Sequence, residues 1–292
     1  MAGKNRSSVG NYLSLVKFSH TVFAMPFALI GFFIAVHKSE YEFRWYVFIL
    51  MLLCMIFARN AAMSFNRYTD RDIDVKNPRT AGREIPSGKI KVSSALIFVI
   101  INGALFVATA FFVNRIVFFL SPIALLIILG YSFTKRFTAL CHFILGMGLS
   151  LAPIGAYLTV TGEFALLPLL FSLTVLFWVS GFDIIYALQD EEFDKTERLH
   201  SIPALLGKRH ALNLSVAVHA LCIVTVIIAG MTAGFGWWYT TGAAIFIVLL
   251  IYQHLIVRPD DLSRVDLAFF TTNGIAGVLF SVFSILELYL NK

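Results

Sequence analysis

Asn66-Arg67-Tyr68-Thr69-Asp70-Arg71-Asp72-Ile73-Asp74 closes an apolar run that begins near residue 44. Asp183-Ile184-Ile185-Tyr186-Ala187-Leu188-Gln189-Asp190-Glu191-Glu192-Phe193-Asp194 closes another that begins near residue 165. In both stretches carboxylates recur four residues apart, a spacing that stacks side chains on one helical face. If each helix continues, Asn66, Asp70 and Asp74 share a face, and so do Asp183, Asp190 and Asp194. The runs behind them reach the ~20 residues that a helix needs to cross a bilayer. Acids at a membrane-embedded helix end are costly unless paired or bound to metal. The two ends are therefore candidates for the two sides of one metal-binding mouth.

Outward from these stretches the chain stays apolar: 59% of its 292 residues are hydrophobic and 14% charged. Apolar runs broken by charge or turn residues give nine candidate spans, at 12–37, 44–66, 92–112, 115–134, 138–161, 165–188, 211–230, 236–257 and 265–289. That pattern predicts an all-α polytopic membrane bundle with about nine transmembrane helices. Residues 1–292 read as a single domain, because no polar or Gly/Ser-rich stretch is long enough to separate two. The first run is too long for a signal-peptide core and lacks a small-residue cleavage site, so it is expected to remain as a span.

Most of the 23 basic residues fall on the side that carries both acidic stretches. Lys4, Arg6 and Lys17 lie near the N-terminus, seven cations run from Arg67 to Lys91, and Lys135, Arg136, Lys195, Arg198, Lys208, Arg209, Arg258 and Arg264 follow. Lys38, Arg44, Arg115 and Lys292 fall on the other side, and Arg59 is embedded. Cytoplasmic loops retain positive charge, so the N-terminus and both acidic stretches are expected to face the cytoplasm, in a bacterial inner membrane. The same topology accounts for the +6 net charge without a nucleic-acid partner. No protein partner can be inferred. Cys54, Cys141 and Cys222 lie singly in apolar segments and read as small buried hydrophobes. His142, His219 and His254 read most simply as packed or interfacial. No zinc spacing, nucleophile elbow or Gly-rich phosphate loop is present.

The two loops also resemble each other. Asp70-x-x-x-Asp74 is followed by Ile85-Pro86-Ser87-Gly88-Lys89, and Asp190-x-x-x-Asp194 by Ile202-Pro203-Ala204-Leu205-Leu206-Gly207-Lys208. Four spans separate the copies, which suggests a parallel four-helix duplication plus a ninth helix. Asp70, Asp74, Asp190 and Asp194 offer four hard oxygen ligands, a set that suits Mg²⁺ together with substrate phosphates. Asn66 adds a neutral carbonyl, and Arg79, Arg83, Lys135 and Arg136 can neutralise phosphate oxygens. The bland alternative is a pair of solvated loops. Two such stretches on one side, each at the end of an apolar span, argue against it.

These residues carry a resemblance. Asn66-x-x-x-Asp70-x-x-x-Asp74 and Asp183-x-x-Tyr186-Ala187-x-x-Asp190-x-x-x-Asp194 resemble the two signature motifs of the UbiA superfamily of intramembrane aromatic prenyltransferases. Tyr131-Ser132-Phe133-Thr134-Lys135-Arg136 is similar to that family's Tyr-Pro-x-x-Lys-Arg turn. The likeness covers essentially the whole chain. Three departures stand out: Arg67 where an aspartate is common, Ser132 for proline, and Lys17-Phe18-Ser19-His20-Thr21 in place of Arg-x-x-Lys-Pro.

The resemblance implies Mg²⁺-dependent transfer of a polyprenyl group from polyprenyl diphosphate to an aromatic acid such as 4-hydroxybenzoate, in quinone biosynthesis. It implies an allylic carbocation held in an apolar chamber, with Asp70, Asp74, Asp190 and Asp194 on the metal. Asn66, Arg79, Arg83, Tyr131, Lys135 and Arg136 would bind substrate. Asp183 and Tyr186, on the inner face of the sixth span, are candidates to orient a ligand or take the ring proton. Arg59, two turns before Asn66 on the same face, is a candidate for binding diphosphate or an acceptor carboxylate. Lys17 and His20 are weaker candidates for the acceptor. A dihydroxynaphthoate, homogentisate or a haem vinyl group are alternative acceptors. A cation-coupled transporter is the alternative of another class, although transporter sites usually lie near the bilayer midplane.

Overall fold

The computed structural model describes residues 8–16, 23–38 and 41–291. Lys17 and His20 therefore lie outside the described residues. Among the described residues twelve α-helices follow in order: α1 Ser8–Leu15, α2 Met25–Lys38, α3 Trp45–Thr69, α4 Arg71–Asp74, α5 Val92–Val113, α6 Arg115–Thr134, α7 Cys141–Thr161, α8 Leu166–Ala187, α9 Glu191–Thr196, α10 Ile202–Ala233, α11 Trp237–Ile256 and α12 Asn273–Leu290. A 3₁₀ turn, Leu188–Asp190, joins α8 to α9, and a π-helical turn, Leu267–Thr272, opens α12. Among the described residues, eight helices are long and apolar enough to cross a membrane, and α2 is a shorter apolar one. The chain is a polytopic helical membrane protein.

The expected span 12–37 is the one element that differs in kind. Its described parts are two helices, α1 and α2. Pro26 stands in the first turn of α2, where its missing N–H costs no intrahelical bond. The 14 residues of α2 reach about 21 Å, less than a full hydrocarbon core. Leu15 of α1 packs with Ile85, Ile90 and Ala95, so this helix covers the loop after α4.

Apolar all round and buried along most of its length, α8 is the central post. It packs chiefly against α7 and α10. Around Trp178 stand Phe27, Phe246 and Phe280 in a cluster of tilted aromatic rings. Small residues let helices touch by their backbones. A Cβ on Gly31 of α2 would overlap the Pro153 carbonyl of α7, and one on Gly146 of α7 would meet the Leu176 carbonyl of α8 at 2.6 Å.

Two irregularities shape one end of the bundle. Trp178 Nε1 donates to Asn273 Oδ1 at 2.9 Å, and Asn273 Nδ2 reaches back to the Ala268 carbonyl at 2.8 Å. That bond spans the π turn, and such turns recur at functional sites. Here it places Phe269 against Tyr186, ring centroids 4.1 Å apart. In α10, Gly207 at φ +76° breaks the helix one turn after its start.

Candidate active site

The two acidic stretches do not continue as ideal helices. α3 ends at Thr69, and Asp70 (φ −87°, ψ 1°) leads into α4. The Asp70 amide still donates to the Asn66 carbonyl at 3.0 Å and the Asp74 amide to the Asp70 carbonyl at 2.7 Å, so the four-residue register survives. The later stretch passes through its 3₁₀ turn before α9 carries Asp194. Both tips turn inward around one cavity of about 1060 Å³. Arg59, Asn66, Asp70, Asp74, Arg79, Arg83, Tyr131, Lys135, Asp183, Tyr186, Asp190 and Asp194 all line it.

The two loops meet directly. Asn77 Nδ2 donates to Asp190 Oδ1 at 3.0 Å, and Lys76 Nζ lies 2.6 Å from Glu197 Oε2. The Arg79 guanidinium grips both Asp190 oxygens and donates to the Tyr186 hydroxyl at 2.8 Å. Burial alone would lower the pKa of Arg79, yet its bonds to Asp190 and Tyr186 hold it above the ordinary arginine value. Lys135 Nζ lies 2.9 Å from Asp70 Oδ2, and Arg83 Nη1 lies 2.7 Å from Asp74 Oδ1. Asp70, Asp74 and Asp190 thus each hold a cation.

Arg136 departs from the expected set. It does not line the cavity; it donates to the Thr69 carbonyl at 2.5 Å and stands 3.7 Å from Asp70 Oδ1. Neighbours in a turn point in different directions, so Lys135 enters the site while Arg136 closes the C-terminus of α3, where a cation is favourable.

His142 is not a mere packing residue. It is 3% exposed, and its Nδ1 lies 2.7 Å from Asp183 Oδ2. The Ile202 amide donates to its Nε2 at 3.3 Å, which makes Nε2 the acceptor and places the ring proton on Nδ1, toward Asp183. The imidazole thus tethers a carboxylate that faces the cavity. A single histidine in an apolar run carries no spacing that could have revealed this. Asn77 was equally silent, because its partner Asp190 is 113 residues away. His219 and His254, by contrast, are packed as expected, joined by a 2.7 Å bond between their rings.

Beside the polar cavity lies an apolar pocket of about 370 Å³ among α3, α6 and α7. Arg59, Met63, Tyr131, Leu145 and Leu149 line both. Ile123 and Phe164, each more than half exposed, stand on its outer rim, so it reaches toward the lipid face.

The donor set suits a hard cation. Asp70 Oδ1 and Asp74 Oδ2 are buried without a hydrogen-bond partner among the described residues. Orphaned carboxylate oxygens of this kind are what an oxygen-preferring divalent ion binds. No three His, Cys, Asp or Glu side chains among the described residues are gathered closely enough to hold a metal alone. Diphosphate oxygens and water would have to complete the shell.

The model of the UbiA prenyltransferase family matches residues 24–275. The chain is 29% identical over 222 residues to 4-hydroxybenzoate octaprenyltransferase of Aeromonas salmonicida (strain A449), covering 76% of each protein. It is 29% identical over 254 residues to the enzyme of that name from Aliivibrio fischeri (strain MJ11), covering 84% of this chain and 85% of the relative. The apo structure of a UbiA homolog from Aeropyrum pernix K1 superposes with a TM-score of 0.80 at 30% identity, over 93% of this chain and 98% of that one. A UbiA homolog from Archaeoglobus fulgidus bound to GPP and Mg²⁺ shares the fold, with a TM-score of 0.73 at 20% identity over 95% and 99% of the two chains.

Proposed function

This chain belongs to the UbiA prenyltransferase family, and from that footing we propose that it transfers a polyprenyl group from polyprenyl diphosphate to a 4-hydroxybenzoate-like aromatic acid. The observation that carries the reading is the meeting of both acidic tips around one polar cavity that adjoins an apolar pocket. The polar side suits the diphosphate and the apolar side suits the isoprenoid tail.

Asp70, Asp74, Asp190 and Asp194 would hold Mg²⁺, which when bound neutralises the charge that builds on the departing diphosphate. Arg79, Arg83 and Lys135 now rest on those carboxylates and are placed to pass to phosphate oxygens. Arg59, where the cavity and the pocket adjoin, meets the diphosphate end of the tail. The allylic C–O bond breaks with its electron pair on the leaving group. The aromatic rings of Phe23, Phe182 and Phe269 at the cavity wall favour the cation left behind, and the apolar wall keeps water from it. The acceptor ring forms the new C–C bond and loses a proton.

Asp183 is the better acceptor for that proton. His142 fixes one of its oxygens, while the Tyr186 hydroxyl is already engaged by Arg79. Positive charge concentrated at the motif end supports a site on the cytoplasmic side, and the bacterial relatives support an inner membrane.

The test is mass spectrometry of products made by the purified chain from one polyprenyl diphosphate, Mg²⁺ and separate aromatic acids: 4-hydroxybenzoate, a dihydroxynaphthoate and homogentisate. The expected product is an acid whose ring carries one prenyl group in place of a hydrogen. Intact diphosphate substrate with every acceptor would overturn the reading.

A further inference from the structure

Arg67 has no task in the reaction as described, yet it is 5% exposed and lines the cavity. Its Nε is buried and has no hydrogen-bond partner among the described residues. Arg79, Arg83, Lys135 and Arg136 each lie on a carboxylate; Arg67 joins none of those ion pairs. Facing it are Arg83 and Tyr131, and the carboxylates of Asp74 and Glu84. A guanidinium held out of water beside a second cation is costly to keep unless an anion completes its surroundings.

Glu84 is the matching oddity on the same wall. It is 8% exposed; one oxygen accepts from the Ser14 hydroxyl, and the other, Oε2, is buried without a partner. The subsite thus has a free donor and a free acceptor. A diphosphate would suit Arg67 but would bring further negative charge against Glu84. A hydroxylated aromatic carboxylic acid suits both, because its carboxylate accepts and its hydroxyl donates. Arg67 also precedes Asp70 by three residues, about 4.5 Å deeper along the helix axis than the metal-binding tip.

We propose that Arg67 and Glu84 form the acceptor subsite, Arg67 holding the carboxylate of a hydroxylated aromatic acid and Glu84 a hydroxyl of the same molecule. The proposal rests on the transferase reading for its choice of ligand, but its test does not depend on turnover.

Binding of 4-hydroxybenzoate and of a dihydroxynaphthoate to the full chain in lipid nanodiscs is measured by equilibrium dialysis without diphosphate. The proteins compared are the wild type, Arg67→Gln, Arg67→Lys and Glu84→Gln, each checked for a monodisperse elution profile. Arg67→Gln is expected to weaken binding of the better acid about tenfold to a hundredfold, the range of a charge-assisted hydrogen bond. Arg67→Lys should recover part of the loss and Glu84→Gln should weaken binding about tenfold. The neutral amide of the acid should bind wild type and Arg67→Gln alike. In turnover, the acceptor KM should rise while the diphosphate KM stays within about twofold.

Equal losses for the acid and its amide, a rise in diphosphate KM instead, or no acid binding by the wild type would each overturn the proposal. Arg67-dependent acid binding without product would sink the transferase reading and leave the subsite standing. Product formation with an unchanged acceptor KM would do the reverse.

Discussion

Replacing His142 by leucine separates the packing of this site from its chemistry. The substitution removes the Nδ1–H bond to Asp183 and leaves the buried Ile202 amide without its acceptor. A bond to a charged partner contributes about 1.5–3 kcal/mol, and an unsatisfied buried donor costs about 1–3 kcal/mol. Asp183 keeps 21% of its side-chain surface open to the cavity, so water replaces part of the first loss. Bonds between membrane helices also tend toward the low end of such ranges. The net destabilisation is then about 2–4 kcal/mol, or a fall in Tm of roughly 3–7 °C in a chain of this size. Released from His142, Asp183 can turn away from the acceptor, and kcat should fall about tenfold to a hundredfold, short of the full contribution of a general base. His142→Asn can still donate to Asp183 but cannot also reach Ile202. It should keep most of kcat while losing part of the stability. Tm is read by size-exclusion chromatography after graded heating in detergent, and kcat by radiolabelled prenyl transfer. A leucine variant with wild-type Tm and kcat would refute the tether, and an asparagine variant as slow as leucine would refute the role given to its Nδ1 proton.

Other expectations follow from the packing. Gly31→Ala drives a methyl into the Pro153 carbonyl, backbone against backbone, and should cost about 1–3 kcal/mol or more, seen as a lower Tm. Ala152→Phe fills the apolar pocket and should shift preference toward shorter polyprenyl diphosphates; unchanged preference in a competition assay would remove the pocket from the tail's path. Lys76→Ala breaks an ion pair whose lysine is 57% exposed, and should change stability by no more than about 0.5 kcal/mol despite its 2.6 Å geometry.

Much of this arrangement is legible in the sequence, because it is written in short-range pattern. Apolar length located most of the spans, α6 at its observed bounds of residues 115 and 134. Carboxylates four apart located both tips. What escaped is tertiary. The apolar run from residue 12 to 37 holds two described helices, and hydropathy alone does not mark where α2 starts. His142 looked like filling in an apolar helix until folding brought Asp183 and the Ile202 amide to its two nitrogens. Lys135 and Arg136 are adjacent, yet only one faces the cavity, a distinction that depends on how the α6–α7 turn closes. The π turn before α12 is a register shift of the backbone, and residues 267–272 carry no compositional sign of it.

In the proposed reaction the two acidic tips act as one metal-dependent clamp on a diphosphate. Its most direct measurement is diphosphate released per prenylated acid by the purified chain, with and without Mg²⁺, for wild type, Asp70→Asn and Asp190→Asn. One diphosphate per product is expected in the wild type, none once Mg²⁺ is chelated, and a loss of more than about a hundredfold in either variant. Metal-independent release, or wild-type rates from both variants, would contradict it.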